Sequence, residues 1–383
     1  MIPVRNAARF LSKTVRQPVY AFRVFMKRLR ALAYYRFGSG RSSMPEAITL
    51  FLTHRCNLRC RMCGQWGEGG VTRAEGAEVL KQELSPSQIR AVVDDAARFG
   101  TNITLFGGEP LLYPGCADLI AYIKSKGLHC LMITNGSLLE QYARAIVDAG
   151  LDELNLSLDG GEKLHDEIRG MPGLFARIMA GIGRVNDFKA MKNARAPLVN
   201  LQCTITKYNY HNLEQLFDAA AAMKADSLTF HNLIFLNRDI LARQAPVDAE
   251  LASSSKDWEG FLFDPEIDPD VLFEKIRQVK ASARGLSVDF YPNFTRDELR
   301  AYYSRPDYRP PAGCRCQSPW VVGYVFPDGE VRPCLNFTYS FGNVKNGCFS
   351  SIWNSGQAVR FRRTLKAAGI FPVCCRCTEL YRY

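Results

Sequence analysis

The feature that most constrains this 383-residue chain is Cys56-Asn57-Leu58-Arg59-Cys60-Arg61-Met62-Cys63. It follows the apolar run Ala47-Ile48-Thr49-Leu50-Phe51-Leu52, which reads as a strand delivering a loop. Three thiols at this spacing make a three-point metal or cluster site. Held by only three thiolates, a four-iron cluster keeps one iron with an open position, which suits a reagent more than a structural staple. Cys60-x-x-Cys63 alone also fits a zinc site or a redox pair.

The second constraint is Ile103-Thr104-Leu105-Phe106, a strand that runs into Gly107-Gly108-Glu109-Pro110. With this pairing the chain resembles the radical S-adenosylmethionine (SAM) superfamily, whose members join Cys-x3-Cys-x2-Cys to a Gly-Gly-Glu-Pro loop on the next strand. The resemblance implies that the open iron holds the amino and carboxylate groups of SAM, and that one electron cleaves SAM to a 5′-deoxyadenosyl radical. That radical would take hydrogen from an unactivated carbon. Gly107 and Gly108 are expected to let the backbone pass close to SAM, Pro110 to complete the loop, and Glu109 to accept from the ligand ammonium. Met62 stands where many members have an aromatic residue; as a soft apolar group it can still pack over a cluster or adenine.

From Pro45 to about Leu236 strand and helix signals alternate, as in parallel βα units. Counting from Thr49 there are six, which matches the superfamily's partial (β/α)6 barrel. The loop-bearing strand ends of such barrels carry the chemistry, and here they hold Cys63, Glu109, Asn135, Ser157, Thr204 and His231. By resemblance, the family's fifth-strand Ser and the Arg after it map onto Ser157 and Arg169, as contacts to the SAM ribose and carboxylate. Asn135 joins them as a cofactor contact. Other readings stand beside these: Ser157 and Asp159 turning the chain, Arg169 in an ion pair, and His231 as a core residue. Cys203, placed on the sixth strand, is a candidate hydrogen-atom donor to a substrate radical, and His231 a candidate substrate contact. Otherwise Cys116, Cys130, Cys203 and Cys348 read as small buried hydrophobes.

Residues 237–312 lack this alternation, apart from a helix at Val271 to Ala283, and are expected to close the open side of the barrel. The last seventy or so residues hold Cys314, Cys316, Cys334, Cys374, Cys375 and Cys377, with Pro327-Asp328-Gly329 as a hairpin turn that brings Cys316 toward Cys334. This portion resembles the SPASM/Twitch extension of radical SAM enzymes, in the shorter, single-cluster Twitch form. By that resemblance an auxiliary four-iron cluster falls to Cys316, Cys334, Cys374 and Cys377, with Cys314 and Cys375 as rivals. A structural zinc on the same thiolates is the alternative.

The expected architecture is therefore α/β: a basic arm (1–45), the partial barrel (46–236), a connecting segment (237–312) and a small cysteine-rich α+β domain (313–383). Of the net charge of +11, nearly all sits in the arm, which carries Arg5, Arg9, Lys13, Arg16, Arg23, Lys27, Arg28, Arg30, Arg36 and Arg41 and no acid. Pro18 divides it into two helical segments. In the second, Val19, Phe22, Phe25, Met26, Leu29, Leu32 and Ala33 recur at helical spacing beside a basic face, as in a helix lying on an anionic membrane. Packing on the body, a cleaved transit peptide and contact with nucleic acid compete with that reading. The balanced charge of the body offers no face for tracking phosphates, so no nucleic-acid partner is expected. Gly38-Ser39-Gly40-Arg41-Ser42-Ser43 reads as a flexible linker.

Thirteen cysteines without a secretory apolar segment favour metal ligation in a reducing compartment. No apolar run is long enough to span a bilayer. The expected location is cytoplasmic, peripheral on the inner face of a membrane. The arm points to oxidation or bond formation on a lipid or lipid-linked substrate, with a flavodoxin- or ferredoxin-like electron donor. The alternatives are a peptide maturase, a redox-neutral epimerase quenched by a thiol such as Cys203, and a cluster- or zinc-bearing scaffold.

Overall fold

The computed structural model describes residues 17–283, 285–311 and 314–382. The first helical segment of the arm lies outside the described residues. The second is α1 (Pro18–Phe37), with Pro18 in its first turn where the missing N–H costs nothing. Next come β1 (Ala47–Phe51), α2 (Pro86–Ala97), β2 (Asn102–Phe106), α3 (Cys116–Ser125), β3 (Cys130–Thr134), α4 (Leu139–Asp148) and β4 (Glu153–Ser157). They are followed by α5 (Glu162–Arg169), α6 (Leu174–Met191), β5 (Leu198–Ile205), α7 (Leu216–Ala222) and β6 (Ser227–Asn232). Ser85 starts α2 with a reciprocal capping box to Gln88, as Ser-Pro before an apolar face implies.

The six units pair in parallel, in chain order, and the sheet does not stop there. The stretch 237–312 contributes α8 (Arg238–Leu251), α9 (Pro269–Ala281), β7 (Ser287–Tyr291) and α10 (Arg296–Ser304), and β7 adds in parallel to β6. The expected lack of alternation is therefore corrected. Asp289 between Val288 and Phe290, with Pro292 just after, hides the strand from a hydrophobic-pattern reading. The C-terminal segment then supplies β8 (Val322–Val325), β9 (Glu330–Arg332), β10 (Gly342–Asn343) and α11 (Gly356–Ala368). β8 pairs in parallel with β1, while β9 and β10 follow antiparallel. The result is one open ten-stranded sheet, β10-β9-β8-β1-β2-β3-β4-β5-β6-β7, curved as a partial barrel. The C-terminal unit is thus joined to the barrel by main-chain pairing.

At the amino ends of the strands α1 packs on the body. Ala21, Val24 and Ala31 are buried, Arg28 pairs with Glu46 at 2.6 Å, Lys27 donates to Pro45 O at 3.1 Å, and Tyr20 stacks on His129 at 4.0 Å. The linker is not loose either. Ser42 N donates to Asn354 Oδ1 at 2.9 Å, Ser42 Oγ to Trp320 O at 2.9 Å, and Trp353 Nε1 to Ser43 O at 2.7 Å. Small residues give a strap that fits against the C-terminal unit; composition alone reads the same residues as slack.

Candidate functional site

The cysteine loop leaves β1 and is tied to its neighbours through its backbone. Leu52 N donates to Phe106 O at 2.8 Å, Gly108 N to Thr53 O at 2.8 Å, Glu109 N to Arg55 O at 2.9 Å, and Arg61 N to Ile168 O at 2.9 Å. Each thiol receives a donor. Asn135 Nδ2 stands 3.9 Å from Cys56 Sγ, Arg169 Nη1 3.8 Å from Cys60 Sγ, and Trp66 N 3.4 Å from Cys63 Sγ. Burial pushes the Cys56 thiol up to about 12 and raises Cys60. Donors aimed at sulfur favour the thiolate that iron binding requires and tune a cluster's potential. Among the described residues no three His, Cys, Asp or Glu converge as around a single ion. Cys56, Cys60 and Cys63, on one loop and each facing a donor, are the residues that would hold an iron–sulfur cluster there.

The Gly-Gly-Glu-Pro loop serves the cysteine loop first. A Cβ on Gly107 would meet Thr53 O at 2.8 Å, and one on Gly108 would meet Arg55 O at 2.2 Å. The close approach that demands glycine is therefore to backbone of the cysteine loop, where the sequence reading expected it to be to SAM. Pro110 opens a single 3₁₀ turn that Glu109 caps through Leu111 N. The Glu109 carboxyl is fully buried; it also accepts from Thr134 Oγ1 at 2.7 Å and Asn135 N at 2.8 Å. Burial, partly offset by these bonds, raises it to about 7. Glu109 thus locks the β2 and β3 loops together. The expected acceptor of a ligand ammonium is here committed to protein donors.

Ser157 ends β4, and Cys203 lies on β5. Each stands one strand earlier than the resemblance placed it. Ser157 is half-buried, in register with Gln202. Arg169, the last residue of α5, is almost enclosed. Its Nε donates to Asp159 Oδ2 at 2.6 Å while Nη1 faces Cys60. Asp159 accepts from Thr204 N at 2.9 Å and donates its own N–H to His165 Nδ1 at 3.1 Å. His165 is wholly buried, and burial with the nearby Arg169 cation lowers it to about 4. Asp159 and His165 were missed as site residues. A carboxylate just past a strand, with His and Arg on the helix that follows, was the available signal.

β5 alternates along its length between half-accessible and buried residues. Asn200, Gln202 and Thr204 face the concave side, with Asn155 and Ser157 beside them on β4 and His231 on β6. Asn200 Nδ2 donates to Glu153 Oε2 at 3.1 Å and to Asn155 Oδ1 at 3.2 Å, Ser227 Oγ donates to Asn200 Oδ1 at 2.7 Å, and His231 Nε2 lies 2.7 Å from Gln202 Oε1. A central strand with solvent-accessible polar residues on one face defines an open polar hollow. Cys203 points the other way. It is wholly buried with Asn209 Nδ2 at 3.6 Å, so the structure does not bring it to the face where a substrate radical would form.

At the C-terminal end, Cys374 lies in the electrostatic field of Cys316, Cys334 and Cys377, and Cys334 in that of Cys377. Burial raises all four thiols, Cys316 and Cys334 to about 12. Cys314 instead acts on Tyr308 and Tyr381, and Cys375 neighbours Arg376 and Arg243. These neighbourhoods agree with the set Cys316, Cys334, Cys374 and Cys377, while Cys314 and Cys375 lie in the same unit as rival candidates. Cys116 and Cys130 are buried, whereas Cys348 is exposed, against expectation, because it precedes a surface helical turn.

A partial parallel barrel with a three-thiol loop after its first strand, a buried acid on the second and a four-thiol unit joined to its edge defines an iron–sulfur enzyme of the radical type. Comparison with known proteins agrees. Residues 50–220 match the radical SAM superfamily, and residues 314–378 match the SPASM iron-sulfur cluster-binding domain. The chain belongs to the radical SAM superfamily and carries a C-terminal SPASM domain; its cofactors are SAM and iron–sulfur clusters. It is 27% identical to Fe-coproporphyrin III synthase of Methanosarcina barkeri over 341 residues, covering 83% of this chain and 78% of that one. It is 28% identical to PqqA peptide cyclase of Rhizobium meliloti over 350 residues, covering 88% and 80%. Streptococcus suis SuiB bound to its precursor peptide SuiA shares the fold, with a TM-score of 0.61 at 14% identity over 90% of this chain and 73% of that one.

Proposed function

We propose that this radical SAM enzyme oxidises an unactivated carbon of a polypeptide held in the polar hollow of the barrel. The observation that carries the reading is the row of amides and imidazole on the concave face: Asn155, Asn200, Gln202 and His231. Such groups, which bond to one another and to Glu153 and Ser227 along this face, can exchange those bonds for bonds with peptide units, an exchange that an alkyl chain does not offer. Relatives named for peptide cyclisation point the same way. The lipid-linked substrate suggested by the arm finds no support among the relatives compared above.

When loaded, Cys56, Cys60 and Cys63 hold the cluster that supplies reductive cleavage of SAM to the 5′-deoxyadenosyl radical, and Cys316, Cys334, Cys374 and Cys377 hold a second redox centre. The remaining work falls to side chains. Arg169 and Asn135 set the charge around the thiolates, Glu109 fixes two loops, and Ser157 lies open at the rim beside Gln202 for the SAM ribose. Arg169 serves this site from its ion pair with Asp159. Electrons come from a flavodoxin- or ferredoxin-like donor. No helix among the described residues is long and apolar enough to cross a membrane. Peripheral contact is compatible with the packing of α1, since Val19, Phe22 and Phe37 stay 65%, 66% and 82% exposed and the arm is basic.

The test is anaerobic incubation of the reduced, reconstituted protein with SAM and either a perdeuterated peptide pool or a perdeuterated lipid extract. Deuterium in 5′-deoxyadenosine is read by mass spectrometry. Uptake from peptides, with SAM consumed one for one, is expected. Uptake from lipid alone, or SAM regenerated, overturns the reading. Cys203→Ala is expected to keep turnover, because its thiol lies on the far face of β5. A tetrapyrrole is the second reading, favoured by the likeness to Fe-coproporphyrin III synthase; conversion of an iron tetrapyrrole without deuterium uptake from peptides would select it.

A further inference from the structure

Beyond the polar hollow the structure holds a separate cavity of about 490 Å³ where the loop leaving β6 meets the end of α10 and the cysteine-rich unit. That volume lies within the range of small-ligand sites. Its walls are largely apolar and aromatic: Phe235, Leu262, Phe263 and Tyr303. The charged residues are Arg238, Arg305, Arg376 and one acid, Asp264.

These four are not equivalent. Arg376 is buried and committed: Nε donates to Tyr302 O at 3.0 Å, Nη2 to Arg305 O at 2.6 Å, and the guanidinium stacks on Phe235 at 4.2 Å. It builds the wall. Asp264 accepts from Glu266 N at 3.4 Å. Arg238 and Arg305 are exposed, and neither guanidinium has a hydrogen-bond or ion-pair partner among the described residues. Arg238 is also the first residue of α8, a fourteen-residue helix, so its fork stands at the positive end of that helix. Two uncommitted guanidinium groups at the mouth of an apolar cavity complement a molecule with an apolar body and a carboxylate, because the planar fork of Arg matches that acid in two hydrogen bonds.

We infer that this cavity binds a carboxylate-bearing apolar group of the substrate, with Arg238 and Arg305 holding the acid and Phe235, Phe263 and Tyr303 the body. Arg376 lies between Cys375 and Cys377 in the chain, so the occupant rests against the cysteine loop of the SPASM domain. The assignment goes beyond the choice between polypeptide and tetrapyrrole, since both can carry carboxylates on apolar bodies. It adds a requirement that neither reading contains: substrates lacking the acid bind poorly.

The test is fluorescence or calorimetric titration of the reconstituted holoenzyme with two pairs of probes. One pair is coproporphyrin III and its tetramethyl ester; the other is acetyl-Phe-Glu-Phe-Glu-amide and its Gln counterpart. At least one acid is expected to bind about tenfold more tightly than its neutral partner. Arg238→Gln with Arg305→Gln is expected to remove that preference, at unchanged iron content and melting temperature. Which acid binds identifies the substrate source. Equal affinity of acid and neutral partner in both pairs, or a preference that survives the double variant, overturns the assignment. The deuterium-transfer assay is read independently, so failure here and failure of the proposed reaction are separable.

Discussion

At the scale of single residues, the site is held by contacts that leave little room. Gly108 is the tightest, because a Cβ there would lie 2.2 Å from Arg55 O, which is backbone and cannot swing aside. Gly108→Ala is expected to displace the cysteine loop, cost about 1–3 kcal/mol and lower iron incorporation at the first cluster. Urea unfolding and iron and sulfide analysis check it. Gly69→Ala, where a Cβ would meet nothing within 4 Å, serves as the control. His165 makes a second residue-scale prediction. Its pKa is lowered from 6.5 to about 4 by burial and the Arg169 cation. The unfolded chain therefore binds the proton more readily, so the stability the neutral imidazole contributes is present above pH 6.5 and is lost as pH falls toward 4. Urea midpoints should fall more steeply across that window for the wild type than for His165→Gln; equal slopes would remove His165 from the account.

Among the elements, α1 and the strap after it show how local sequence and context divide the work. The pattern of Val19, Phe22, Met26 and Leu29 identifies a helix, and Pro18 its start. The face that packs is a different one, Ala21, Val24 and Ala31, with Arg28 on Glu46. Small residues allow the close approach that large ones would prevent. The strap is fastened by Asn354, which donates to Ser42 O and accepts from Ser42 N, both at 2.9 Å. Asn354→Ala leaves both Ser42 groups without that partner and should cost about 1–3 kcal/mol. It is also expected to speed proteolysis around Gly38 to Ser43, which a limited-digestion time course followed by mass spectrometry would show.

Over the whole molecule, one sheet runs from the hairpin of the SPASM domain through the barrel to β7. The three-thiol loop follows β1 and the four-thiol group flanks β8 and β9, and β1 and β8 are paired neighbours. Iron at Cys56, Cys60 and Cys63 would pin one loop beside β1, and iron at the C-terminal cysteines would tie together segments on either side of β8, β9 and α11, so binding at each is coupled to the fold. Chelation under anaerobic conditions is expected to lower the calorimetric unfolding temperature by several degrees. Refilling with iron and sulfide should restore it; an unchanged transition would show that the sheet stands without its metal.

The amino-acid sequence by itself determined the chemistry: three thiols at a fixed spacing after a strand, a Gly-Gly-Glu-Pro turn after the next, and cysteines near the end in numbers that only a metal explains. It also determined the alternating units, because strand and helix periods are local properties. What the tertiary structure decided is everything that depends on which face a residue takes. It turned Cys203 toward the helices and Asn200 and Gln202 toward the hollow, and committed Glu109 and the glycines to the neighbouring loop. It joined β7 and β8 to the sheet edges, and brought Arg238, Arg305 and Phe263 around one cavity. Those outcomes follow from pairing and packing between segments distant in the chain, whose energies no local pattern records.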